Sequence, residues 1–117
     1  MRDKVYSGFK GWKELNEAYG IKEPQPKFIF AFYDSDRYEG SSIVITSDDA
    51  VSFRTNDASH CSCYGLSECW SPTGGHSREA VKRIMGSRLA GTAYRKDFRD
   101  WFRYLPQPEL DDSGLGM

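Results

Sequence analysis

The six residues Phe28-Ile29-Phe30-Ala31-Phe32-Tyr33 constrain this chain more than any other stretch. They form its longest apolar run, far too short to cross a bilayer and rich in the aromatic and branched side chains that suit a pleated surface. Pro24 and Pro26 precede the run and bias the chain towards extended backbone, so a strand is expected over 27–34. Asp34 to Gly40 reads as a turn, because its acidic side chains compete for backbone donors. Ile43-Val44-Ile45 marks a second strand over 41–46, Asp48-Asp49 a tight turn, and Ala50 to Arg54 a third strand. Three strands joined by short turns predict an antiparallel meander with one buried face. Period-two alternation would set Phe28, Phe30 and Phe32 together on that face.

Helices flank these strands. Residues 1–6 read as a loose lead-in. A helix is expected from Ser7, with Phe9, Trp12, Leu15 and Tyr19 on one stripe and Gly20 closing it. Residues 71–76 carry Pro72, Gly74 and Gly75 and read as a loop. Ser77 suits the N-cap of a helix reaching Ala90, in which Val81, Ile84, Met85 and Leu89 share a face. Thr92 can cap a last helix with Tyr94, Phe98, Trp101 and Leu105 on its inner stripe, ended by Pro106. The expected fold is α+β: an N-terminal helix, a three-stranded antiparallel meander, and two C-terminal helices packed on the sheet. Phe9, Trp12, Phe28, Phe30, Phe32, Ile43, Ile45, Ile84, Leu89, Phe98 and Trp101 are the expected core. A chain of 117 residues suits one domain, taken as 1–106, with an acidic tail over 107–117 expected to be disordered. A soluble, cytoplasmic protein without a membrane partner is expected, its oligomeric state left open.

All three cysteines fall in one junction, Ser59 to Trp70. An odd count, with Cys61 and Cys63 one residue apart, argues for reduced thiols rather than a disulfide framework. His60, Cys61, Cys63 and Cys69, with His76 in reserve, are enough donors for tetrahedral zinc. The spacing lacks the two to four intervening residues of paired zinc cysteines, so the reading placed first has no metal and no cofactor. Nor does a thiol catalyst emerge, since His60 and Cys61 would point to opposite sides of an extended chain. No enzyme activity is expected. The junction is read as structural, with His60, Cys61, Cys63, Tyr64 and Trp70 placed against the sheet and Gly65 turning the chain.

Charge is sorted along the sequence although the total is only −1. Residues 34–57 carry six acids against two arginines, and residues 78–103 carry eight bases against three acids. Arg95, Lys96, Arg99 and Arg103 should share the outer side of the last helix. Trp101 and Phe102 cannot both face the core, and an aromatic beside arginines has the make-up of a protein-binding hot spot. Arg95, Lys96, Arg99, Arg103 and Phe102, together with Asp34, Asp36 and Glu39 at the acidic turn, are the candidate partner-binding residues. A protein partner is the first reading of this surface, and nucleic acid through the basic helices is the alternative.

One group of residues carries a resemblance. Tyr38-Glu39-Gly40, the strands around Asp48-Asp49, His60-Cys61-Ser62-Cys63-Tyr64-Gly65-Leu66 and Trp70-Ser71-Pro72 together resemble a family of small uncharacterised bacteriophage proteins. The likeness covers about a third of the chain. Two departures are visible: Asp48-Asp49 replaces that family's Asp-Gly turn, and Cys69 stands where the family usually has a non-thiol. The resemblance implies a phage origin and a shared fold. On that analogy, the expected function is a small accessory protein that binds and inhibits a host or anti-phage defence protein. A zinc or small-ligand site at the junction is a further alternative.

Overall fold

A computed structural model describes residues 3–36, 39–61 and 70–106, the side chains of 35, 36, 39 and 59–61 excepted. It is α+β, built on a five-stranded mixed sheet in the order β1 (Lys4–Ser7), β2 (Phe28–Asp36), β3 (Glu39–Ser47), β4 (Ser52–Cys61), β5 (Thr73–Ser77). The expected meander is present as β2–β4 and is extended by a strand at each edge. β1 runs parallel to β2, from Lys4 opposite Ile29 to Ser7 opposite Phe32, and every other pair is antiparallel. The expected tail, 107–117, lies outside the described residues.

Both edge strands correct the reading of the sequence. Residues 4–7 are not a loose lead-in, because β2 supplies a ladder that four residues could not nucleate alone. Val5 then leans on one face of the sheet and Tyr6 on the other. The helix does not begin at Ser7: Gly8 adopts φ +86°, and α1 starts only at Trp12, running to Tyr19. Gly20, in the left-handed region, caps it by donating to the carbonyl of Asn16 at 2.7 Å. At the other edge, residues 73–77 form β5 rather than a loop. Thr55 faces Thr73 and Phe53 faces His76, with an irregularity between the two pairs. β4 likewise runs on past Arg54 to Cys61, held by β3 from Thr46 to Glu39.

The sheet is buried on both faces, not one. Phe28, Phe30, Phe32, Ile43, Ile45 and Phe53 make the floor under α2 (Arg78–Arg88) and α3 (Tyr94–Arg103). Val81, Met85, Leu89, Phe98, Trp101 and Leu105 close over them, and Phe30 meets Phe98 at 5.5 Å and Trp101 at 5.7 Å. On the opposite face Ile29, Ala31, Val44 and Ala58 pack under Leu15, Tyr19, Ile21 and Phe9. An uninterrupted apolar run is what a strand covered on both sides requires. Most of the expected core is buried, but Trp12 and Ile84 are only half-buried.

The helix ends follow local chemistry. The Ser77 hydroxyl accepts from the Ala80 N–H at 3.1 Å and opens α2. The expected Thr92 cap is displaced by one residue: Ala93 holds the N-cap position of α3 without a side-chain bond, and the Thr92 hydroxyl before it accepts from the Tyr94 N–H at 3.2 Å. α3 is also tied to the sheet edge, since Trp101 Nε1 donates to the Asp3 carbonyl at 3.0 Å. No helix among the described residues is long and apolar enough to cross a membrane.

Candidate functional site

Burying Phe98, Trp101 and Leu105 orients the rest of α3. Arg95, Arg99 and Arg103, at four-residue intervals, fall in one row along its flank. α2 packs beside α3 through Val81, Met85 and Leu89 and presents Arg78, Lys82 and Gly86 at the same interval. The two rows face each other across an open cleft of about 750 Å³, whose lining is completed by Glu79, Phe98 and Phe102. Five cations and one carboxylate therefore share one depression.

No ion pair among the described residues involves these cations. The ion pairs lie elsewhere: Arg88 meets Asp57 at 2.6 Å, and Arg54 meets Glu23 at 2.8 Å. Lys82, Arg95, Arg99 and Arg103 have no ion-pair partner among the described residues. Arg78 is held more tightly. Its Nη1 donates to the Ala50 carbonyl at 2.7 Å, and its guanidinium lies 4.7 Å from the centre of the Phe102 ring. Partial burial lowers its pKa from the ordinary arginine value.

Phe102 is half-buried, not a free surface aromatic. It stacks on Phe98 at 5.4 Å, contacts Phe53 at 5.9 Å, and carries Arg78 over its ring. Lys96 is exposed but does not line the cleft, so the structure gathers three of the four expected α3 cations. Arg78, Lys82 and Gly86 were missed as site residues. Their signal was present as a four-residue interval, but only the packing of α2 beside α3 shows that the two rows face.

The acidic candidates Asp34, Asp36 and Glu39 all fall at the β2–β3 end of the sheet. Asp34 is exposed at the end of β2, and the backbone of Asp36 pairs with that of Glu39, whose side chains lie outside the described set. Asp48 and Asp49 sit beyond the opposite end of β3, roughly 25 Å away along a nine-residue strand. Asp49 is also engaged, accepting from the Val51 and Ser52 N–H groups at 2.9 Å. These hydrogen bonds, Ser52's first, hold its pKa below the ordinary aspartate value. The acids counted over 34–57 thus lie at both ends of β3, while the three candidates stay at one.

At the junction, the backbones of His60 and Cys61 close β4 opposite Gly40 and Glu39. The side chains of His60 and Cys61, and all of Cys63, Tyr64, Gly65 and Cys69, lie outside the described residues. Trp70 is half-buried, its ring 5.4 Å from Tyr19 and its Nε1 donating to Glu23 Oε2 at 3.3 Å. Glu23 also receives both arms of Arg54, which lower its carboxyl pKa, with burial opposing and Trp70 adding to the effect. The Ser71 N–H donates to Asn56 Oδ1 at 2.7 Å. His76 Nε2 instead lies 3.1 Å from the Thr73 hydroxyl. No group of three or more His, Cys, Asp or Glu among the described residues is arranged to hold a metal.

No family model, curated protein or solved structure matches this chain.

Proposed function

We propose that this protein acts by binding, and that the basic cleft between α2 and α3 is the surface with which it holds an acidic segment of a partner protein. One observation carries the reading: five cations from two helices line one cleft with a single carboxylate among them. Concentrating like charge is unfavourable in the free protein, and a ligand of opposite charge removes that cost. Arginine forks suit carboxylates in two-pronged pairs, each worth about twice a neutral hydrogen bond. The bacteriophage resemblance supplies the class of partner, a host or anti-phage defence protein blocked in the host cytoplasm. No reaction forms part of this reading.

Phosphates would also suit the cations, which keeps nucleic acid as the rival. Single strands, however, are held by bases stacking on open aromatic faces. Phe98 is buried, and Phe102 is enclosed by Phe53, Phe98 and Arg78. The cleft therefore offers charge without a stacking platform, and a protein partner fits it better.

The test is charge reversal at Arg95, Arg99 and Arg103 together. If each arginine is worth about 2 kcal/mol at an interface, capture of the partner from infected or defence-carrying cells should fall more than about a thousandfold. The protein should stay folded, since exposed charges add little stability. Recovery of the same partner protein after nuclease treatment supports protein recognition. Loss of all captured material on nuclease treatment would transfer the cleft to nucleic acid. Undiminished capture by the triple variant would remove the cleft from function.

A further inference from the structure

The two rows of the cleft are not equivalent along their length. Arg78 packs on Phe102 and comes within 3.5 Å of the Pro106 carbonyl, so the start of α2 lies beside the end of α3. The short connection over 89–93 joins their other ends. Lys82 therefore faces the turn of Arg99, and Gly86 the turn of Arg95. Successive members of each row rise about 6 Å, and each row spans about 12 Å, two helical turns. Charge is dense at the Arg78–Arg103 end and thins towards Gly86.

Gly86 is the odd member. It sits inside α2, where glycine is among the least favourable residues, at φ that needs no glycine. A methyl group added there would meet nothing within 4 Å. The α2 wall is thus lowered to bare backbone at one end of the cleft, and the space above it is open.

We infer that the cleft receives an acidic amphipathic helix of the partner, which sets carboxylates one turn apart against the cation rows and brings its own backbone close over Gly86. The inference rests on the cleft being the binding surface. Carboxylates four residues apart on a helix repeat at the spacing of Arg95, Arg99 and Arg103. An extended peptide can match that spacing with alternate residues, but it brings unpaired backbone N–H and C=O groups. The cleft walls are two helix flanks, whose backbone groups are already paired within the helices, so a strand finds no ladder there. A helix arrives with its backbone bonds made and needs only side-chain partners.

The experiment uses the intact protein at physiological salt, where surface charge is screened beyond about 8 Å. The probe is a fluorescent sixteen-residue peptide, capped at both ends, with Glu at every fourth position and Leu beside each Glu row. The comparators are an isomer of the same composition with its Glu residues clustered, a version interrupted by proline, tripolyphosphate, and a thymidine oligonucleotide. The patterned peptide should bind at least tenfold more tightly than every comparator and gain helical circular dichroism on binding. Gly86→Leu should weaken it at least tenfold while holding or raising the melting temperature, because leucine is the better helix former.

The inference is overturned if the patterned peptide does not bind, if the clustered isomer or the proline-interrupted peptide matches it, if a phosphate ligand binds more tightly, or if Gly86→Leu leaves its affinity unchanged. Reversal at Arg95, Arg99 and Arg103 separates the two levels of the argument. If both peptide isomers bind equally and both are lost on reversal, the cleft stands as the binding surface and only the helix falls. If binding survives the reversal, the cleft itself falls.

Discussion

Gly8 shows how much can depend on one absent methyl group. It links β1 to the loop before α1 at φ +86°, and a Cβ there would run into the backbone carbonyl of Tyr33. Gly8→Ala combines a backbone strain of about 1–3 kcal/mol with a clash against a strand that cannot move, so a loss of at least about 2 kcal/mol in urea denaturation is expected. Amide exchange should show β1 loosening first. An unchanged denaturation midpoint would mean that β1 does not hold the sheet edge. Glu23 governs a different property. Its folded pKa is depressed, chiefly by Arg54, so its contribution is present above the unfolded carboxyl value near 4.3. That contribution is lost as pH falls through the lower folded value. The pair is well exposed, which limits the effect to about 0.2–1 kcal/mol. Glu23→Gln should lower stability at neutral pH and flatten its decline below about pH 4. An acid limb as steep as wild type would assign that region to other carboxylates, Asp49 among them.

Among the elements, β2 bears the most, because both helical layers rest on it. Phe30 is fully buried between Phe98 and Trp101, and Phe30→Ala should cost about 3–5 kcal/mol. Domains of this size are stable by about 5–15 kcal/mol, so the substitution should lower the melting temperature sharply or abolish folding. A melting temperature near wild type would mean that the strand carries little of the core. β2 was legible in the sequence for the same reason that it matters: its apolar density is high. Its second buried face was legible too, since Ile29 and Ala31 occupy positions where a half-buried strand would carry polar groups, yet alternation was assumed. β1, β5 and the far half of β4 were not legible. In Thr55-Asn56-Asp57 and Thr73-Gly74-Gly75 a single strand-favouring threonine is followed by two poor strand formers, and neighbouring strands hold them through backbone pairing. The α3 half of the cleft could be read from a four-residue interval, while the α2 half depended on which helices become neighbours.

At the scale of the whole molecule, a net charge of −1 conceals a basic cleft. Asp57 pairs with Arg88 and Glu23 with Arg54, while Glu79, Asp97 and Asp100 on the two cleft helices make no ion pair among the described residues. If the cleft exists to bind an anion, it should cost the free protein some stability, and neutralising it should restore that stability. Lys82→Gln and Arg99→Gln suit this test, because both positions are exposed and glutamine keeps helix propensity. Each should stabilise the free protein by a few tenths of a kcal/mol at low salt, a rise in melting temperature of about 1–3 °C. The gain should shrink in 1 M salt, where the screening length falls to about 3 Å. A packing effect would persist in salt, so the salt dependence identifies the cause. The same substitutions should weaken the acidic peptide, and adding that peptide to wild type should raise its melting temperature with concentration. Two variants that lower both stability and affinity would mean that Lys82 and Arg99 are structural residues, and the cleft would lose its standing as a surface kept open for a ligand.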